Sequence, residues 1–283
     1  MSELLRVEGL SKKFGALAAV DDLSFTLNEG EVVSIIGPNG SGKTTTINLI
    51  SGELSATRGH VFLESSRITR FPPDRVAEAG IRRTFQNGRV FGNTSVLDNI
   101  LIGQTPLLRV SHPLGRLRRY PVLRWVALLT ELVVALTPFP AKTRELAWQR
   151  SAAEEEIGRF GAHRLVGREQ DWAASLSYAN RRRTEIARAL ASHPRLLVLD
   201  EPTAGMNTTE TAEILDILLA LKKQGQAILL VEHKLDLVMQ LSDRVIVMDN
   251  GHKIAEGDPS EIESNPRVIE AYLGKRYATG GHA

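Results

Sequence analysis

The residues Gly37-Pro38-Asn39-Gly40-Ser41-Gly42-Lys43-Thr44 have the types and spacing of a loop that cradles phosphates. Glycines let the backbone turn so that successive amides point at phosphate oxygens, Lys43 neutralises the terminal phosphates, and the Thr44 hydroxyl can ligate magnesium. Further on, Leu196-Leu197-Val198-Leu199-Asp200-Glu201 is an aliphatic run that ends in two carboxylates. Asp200 suits support of a magnesium ion, directly or through water, and Glu201 suits orienting and deprotonating a water that attacks the terminal phosphate. A paired carboxylate at a strand end is often only a solvated cap, but downstream of a phosphate loop it reads as chemistry. His233 follows the apolar run Ala227 to Val231 and so falls at the carboxyl edge of a sheet, where ligands of open α/β folds collect. A lone histidine is commonly structural; this one is expected to hold the attacking water and the phosphate.

These groups need rigid elements behind them. Val32 to Ile36 reads as a strand, running through the glycine-rich loop into a helix over Thr44 to Ile50. Short apolar or alternating runs at Leu4 to Val7 and Leu23 to Leu27 make the opening mostly β. From about residue 74 to 193 the periodicity turns helical, with Arg- and Glu-rich faces. Then Leu196 to Leu199, a helix near Thr208 to Lys223, Ala227 to Val231, a helix near Lys234 to Leu241 and Arg244 to Met248 alternate strand with helix, predicting a parallel sheet covered on both faces. Asn250-Gly251 signals a hairpin, Asn265 to Gly274 a short closing helix. The expected organisation is one domain over 1–274, with an α/β core over about 4–86 and 194–274, a helical lobe over about 87–193, and a tail over 275–283.

Composition removes several function classes. The chain has 283 residues, 42% of them hydrophobic, enough for a large core, and a net charge of +2 gives no global reason to bind nucleic acid. With no cysteine it has neither disulfides nor thiol chemistry. The amino terminus lacks the apolar core of a signal peptide. The most apolar window, Val122 to Thr137, would span about 24 Å as a helix, short of a bilayer's roughly 30 Å hydrocarbon core, and is not read as transmembrane.

The chain resembles the nucleotide-binding subunits of ABC transporters over residues 4–274, except for about 106–142. Within that family it is most similar to the ATPase subunits of bacterial branched-chain amino acid importers. The likeness is carried by Ile36 to Gly40, Arg83-Thr84-Phe85-Gln86-Asn87, Leu176-Ser177-Tyr178, Asp200 to Asn207, Val231-Glu232-His233-Lys234, and the ending Asn265-Pro266 to Ala271-Tyr272-Leu273-Gly274. It implies a P-loop ATPase core, a mainly parallel sheet plus an antiparallel β subdomain, with an inserted α-helical subdomain. It also implies ATP and Mg2+ as ligands. Thr45 would join the phosphate loop, Phe14 would stack on the adenine unless it packs in the core, and Gln86 would touch magnesium and the attacking water while its loop senses a membrane-embedded partner. Ser177 and Ala179 would face ATP held by a neighbouring copy. The implied partners are two separate transmembrane permease subunits, a second ATP-binding subunit, identical or related, and an extracytoplasmic solute-binding protein, at the cytoplasmic face of a bacterial inner membrane. A soluble mechanical factor on nucleic acid or ribosomes would be expected to carry tandem cassettes or a coiled coil; a catalytically weak regulatory subunit is opposed by intact Lys43, Asp200, Glu201 and His233.

Two stretches depart from the family. The signature segment usually reads Leu-Ser-Tyr-Gly-Gln-Gln, and here it is Leu176-Ser177-Tyr178-Ala179-Asn180-Arg181. Ala179 adds a methyl where close backbone approach is useful, and Asn180 is one methylene short, so the site served by this signature is expected to be weaker than the chain's own and the dimer asymmetric. The segment 106–142 is rich in arginine around its apolar window. That suits an anionic membrane surface or a permease loop; the plainer reading is an extra helix packed on the helical lobe.

Overall fold

The computed structural model describes residues 2–84, 90–107, 124–136, 140–161 and 164–277. In chain order these form β1 (Glu3–Phe14), β2 (Leu17–Asn28), β3 (Val32–Ile36), α1 (Lys43–Ile50), β4 (Arg58–Leu63), β5 (Ser66–Arg67), α2 (Pro73–Ala79) and β6 (Ile81–Arg83). There follow α3 (Val96–Gly103), α4 (Arg124–Leu136), α5 (Pro140–Arg159) and α6 (Tyr178–Leu190). The chain closes with β7 (Leu196–Asp200), α7 (Thr208–Lys223), β8 (Ala227–Val231), α8 (Leu235–Leu241), β9 (Arg244–Asp249), β10 (His252–Gly257), α9 (Pro259–Glu263) and α10 (Pro266–Tyr277). Two compact units result, one from Met1–Arg89 with Pro194–Ala283 and one from Val90–His193.

The first unit holds two sheets. One has the order β10-β9-β3-β8-β7-β6, parallel throughout except for the antiparallel edge strand β10. Every residue of β3, β7 and β8 is buried, which is why these strands read as continuous aliphatic runs rather than alternating ones. The hairpin between β9 and β10 turns on Asn250 and Gly251, both at positive φ (47° and 84°), as a two-residue loop with the strands' twist demands. The other sheet, β2-β1-β4-β5, is antiparallel. Its strands β1 and β2 are longer than the apolar runs suggest, because register shifts between Val7 and Leu10 and between Leu10 and Lys12 break the alternation without ending the pairing. The sequence between 74 and 84 is not uniformly helical: α2 is capped by Gly80, and Ile81–Arg83 pairs in parallel with β7.

In the second unit, α3 starts on a reciprocal cap, Ser95 accepting from the Asp98 amide at 3.0 Å while the Asp98 side chain accepts from the Ser95 amide. Val96 and Ile100 of α3, Ala153 and Ile157 of α5, Phe160 just after it and Ile186 of α6 are all buried in this unit. The apolar window is helical over Arg124–Leu136, and no helix among the described residues is long and apolar enough to cross a membrane. The segment does contain an extra helix, α4, of which Val126, Thr130, Glu131 and Val134 are half-buried while Trp125, Leu128, Leu129, Leu132 and Val133 are all exposed.

Candidate functional site

The site grows from the carboxyl ends of three adjacent strands, β3, β8 and β7. After Ile36 the backbone enters the loop at Gly37 with φ 151° and leaves it at Gly42 with φ 104°. A Cβ on Gly37 would meet the Met248 carbonyl oxygen at 2.1 Å, and one on Gly42 the Ala19 carbonyl oxygen at 2.4 Å, so no other residue fits either place. The loop is pinned from outside, the Gly251 amide donating to the Ser41 carbonyl at 3.0 Å. Gly42 precedes α1 without any side-chain cap, which leaves first-turn amides as the donors that a phosphate takes. Asn39, Gly40 and Thr44 are exposed, and Pro38 and Thr45 half-buried.

Lys43 is 5% exposed, and its ammonium donates to the carbonyls of Gly37 at 2.8 Å and Pro38 at 2.9 Å. Burial pushes its pKa below the ordinary lysine range, while the carboxylates of Glu201 and Asp200 pull it back up. All three predicted charges therefore share one electrostatic site. Asp200, at the end of β7, is buried and accepts from the Arg83 guanidinium at 2.8 Å. Arg83 also donates to Asn48 Oδ1 at 2.6 Å and Ser51 Oγ at 2.9 Å, tying β6, β7 and the end of α1 together.

Glu201 sits in the left-handed region, φ 48°, with its amide donating to the Val231 carbonyl at 2.8 Å. A glutamate held there is strained, and strain of this kind gathers where a side chain must be aimed. Its Oε1 lies 2.8 Å from His233 Nε2. The two residues predicted separately, one after β7 and one after β8, are thus brought into contact. Behind them Glu232 is buried and accepts from the amides of Thr203 at 3.1 Å and His233 at 2.7 Å and from the Thr203 hydroxyl. Phe14 is 48% exposed at the turn between β1 and β2, with the Lys12 ammonium 5.1 Å from its ring centre, so it does not pack in the core. Gln86 lies outside the described residues.

The signature segment is arranged differently from the expectation. Ser177 and Tyr178 are exposed, and the Ser177 hydroxyl caps α6 by accepting from the Asn180 amide at 3.3 Å. Ala179 is only 2% exposed: its methyl is taken up inside the helical unit rather than added to an outer face, and the steric ground for a weakened site falls away. Asn180 is also buried, its Oδ1 accepting from Arg183 at 2.6 Å.

Three residues escaped the sequence reading as individuals. Arg83 and Glu232 lie inside motifs whose neighbours drew attention, and a buried charge looks in sequence like a surface one. Tyr272 packs beside Ile36, where burial raises its pKa and a hydrogen bond with the Gly37 backbone opposes the rise. Only the membership of all three in recurring motifs marked them.

The residues suit magnesium and a nucleotide. Among the described residues no three His, Cys, Asp or Glu side chains gather as an all-protein metal cage. The donors here are a threonine hydroxyl, Thr44, and a carboxylate, Asp200, the sparse oxygen set that magnesium completes with water and phosphate.

Residues 20–204 match the family model described as ABC transporter, and residues 252–278 match that described as branched-chain amino acid ATP-binding cassette transporter. The chain belongs to the ABC transporter family. It is 38% identical to the high-affinity branched-chain amino acid transport ATP-binding protein LivG of Salmonella typhimurium, over 96% of this chain and 98% of that one. It is 35% identical to the corresponding protein BraF of Pseudomonas aeruginosa, with the same coverage. A crystal structure of an ATP-binding cassette of an ABC transporter in its ADP conformation superposes with a TM-score of 0.76 at 33% identity, covering 97% of this chain and all of that one. The chain is an ATP-binding subunit of an ABC transporter with the P-loop fold of this family.

Proposed function

We propose that this ABC subunit hydrolyses ATP to ADP and phosphate and thereby drives import of branched-chain amino acids or a similar small solute. The observation that carries the hydrolytic part is the contact of Glu201 Oε1 with His233 Nε2 at 2.8 Å, beside a phosphate loop whose Lys43 feels the Glu201 charge. Lys43 and the loop amides hold the terminal phosphates, Glu201 takes the proton of the attacking water, and His233 fixes the direction of that carboxylate. Thr44 and Asp200 would hold the magnesium ion, which when bound neutralises charge on the phosphates. Phe14, exposed and flat, would stack on the adenine.

The solute reading is supported by the likeness to LivG and BraF and by the match of the carboxyl-terminal residues 252–278. In this reading two ATPase chains, identical or related, close on two ATP molecules. Ser177 at the start of α6 faces the partner's nucleotide, and the loop with Gln86 meets the permease. Two permease subunits and an extracytoplasmic binding protein complete the assembly, and the chain works peripherally on the cytoplasmic face. Reconstitution with the permease subunits and binding protein tests this: leucine is expected to stimulate ATP turnover and to accumulate in vesicles. Turnover that no branched-chain amino acid alters would remove the solute assignment and leave the ATPase assignment standing.

A further inference from the structure

Helix α4 carries its apolar face outward. Trp125, Leu128, Leu129, Leu132 and Val133 recur at the three- and four-residue spacing of one helix face, and their exposures run from 47% to 61%. Of its polar members only Arg124, at the amino end, is exposed; Thr130 and Glu131 are half-buried, and Lys142 from the start of α5 donates back to the Val134 carbonyl at 3.0 Å. A helix that met only water and its own domain would be patterned the other way. Something covers this face.

Charge indicates what. The stretch 106–144 holds seven basic residues, among them Arg124, Lys142 and Arg144, against one acidic residue, Glu131. The whole chain carries only +2, so its positive charge is concentrated in this stretch of the sequence and the remainder is acidic. At 13 residues, about 20 Å, α4 cannot span a bilayer of roughly 30 Å. Its exposed side carries polar groups only at its amino end, the Arg124 guanidinium and the Trp125 indole N–H, and from Leu128 to Val133 it is wholly aliphatic, whereas a protein interface of comparable extent carries paired polar anchors throughout.

We propose that α4 lies in the interfacial region of an anionic lipid bilayer, with Trp125, Leu128, Leu129, Leu132 and Val133 among the acyl chains and Arg124, Lys142 and Arg144 at the headgroups. This goes beyond the ATPase reading and stands or falls apart from it, because the chain alone suffices for the test.

The full chain is mixed with vesicles of phosphatidylglycerol and phosphatidylcholine, or of phosphatidylcholine alone, and sedimented. The chain is expected to partition onto the anionic vesicles and to release as salt is raised. The double variant Leu128→Glu, Leu132→Glu is expected to lose at least about tenfold in partition, with its circular dichroism and ATP affinity unchanged. In a Trp148→Phe, Trp172→Phe background, Trp125 emission should shift to the blue on adding anionic vesicles. The proposal is overturned if the wild-type chain ignores anionic vesicles, if the double variant binds them equally well, or if a photocrosslinker at position 128 in the reconstituted transporter labels permease and not lipid.

Discussion

Glu156, in the last turn of α5, is 2% exposed, and its Oε2 has no hydrogen-bond partner among the described residues. Burial pushes its pKa from an ordinary 4.5 up to about 7; the Arg159 charge opposes this and the Glu155 charge adds to it. The folded protein therefore holds this proton more tightly than the unfolded chain. Below pH 4.5 the carboxyl is neutral in both states, and its ionisation costs nothing. Between about pH 4.5 and 7 the unfolded chain ionises first, so stability falls as pH rises, and above 7 the loss is complete. At 1.36 kcal/mol per tenfold in proton affinity, a rise from 4.5 to about 7 corresponds to about 3 kcal/mol. Glu156→Gln removes this charge at every pH. It should be more stable than wild type by up to about 3 kcal/mol at pH 8.5 and by less than about 1 kcal/mol at pH 5. The assay is urea unfolding followed by intrinsic fluorescence: Trp125, Trp148 and Trp172 are the chain's only tryptophans, and all lie in the unit that contains Glu156. A stability difference that stays constant across this pH range would refute the reasoning.

Two further substitutions probe other contacts. Arg83→Met removes a guanidinium that is almost buried against an almost buried Asp200, and should cost about 3 kcal/mol of stability while weakening magnesium-dependent more than magnesium-free nucleotide binding, as read by calorimetric titration. Ala179→Gly puts back the residue usual in the family, but in the first turn of α6 it gives up a buried methyl and a better helix former. It should lower stability by about 1 kcal/mol and leave turnover of the assembled transporter unchanged; a rise in turnover would revive the asymmetric dimer.

Much of the parallel sheet was legible because β3, β7 and β8 are buried on both faces and so appear as unbroken aliphatic runs. The phosphate loop was legible for a similar reason, since Gly37 and Gly42 leave no space for a side chain. Longer-range consequences were hidden. Nothing in the spacing tells that Glu201 and His233 touch, because their strands are adjacent only after the sheet forms. The strand β6 was lost at three residues, too short to show a period. Ala179 was misjudged because sequence gives the presence of a methyl and not its direction. The same limit applies to α4, whose apolar stripe was evident while the side it faces was not, and to Glu156, whose burial is a property of the packed unit.

Single-turnover hydrolysis tests the central claim most directly. Radiolabelled ATP is bound to the purified transporter with magnesium, and phosphate is followed for wild type and for Glu201→Gln. The variant is expected to bind ATP as tightly as wild type but to release phosphate at least about a hundredfold more slowly. Equal phosphate release by the two proteins would contradict it.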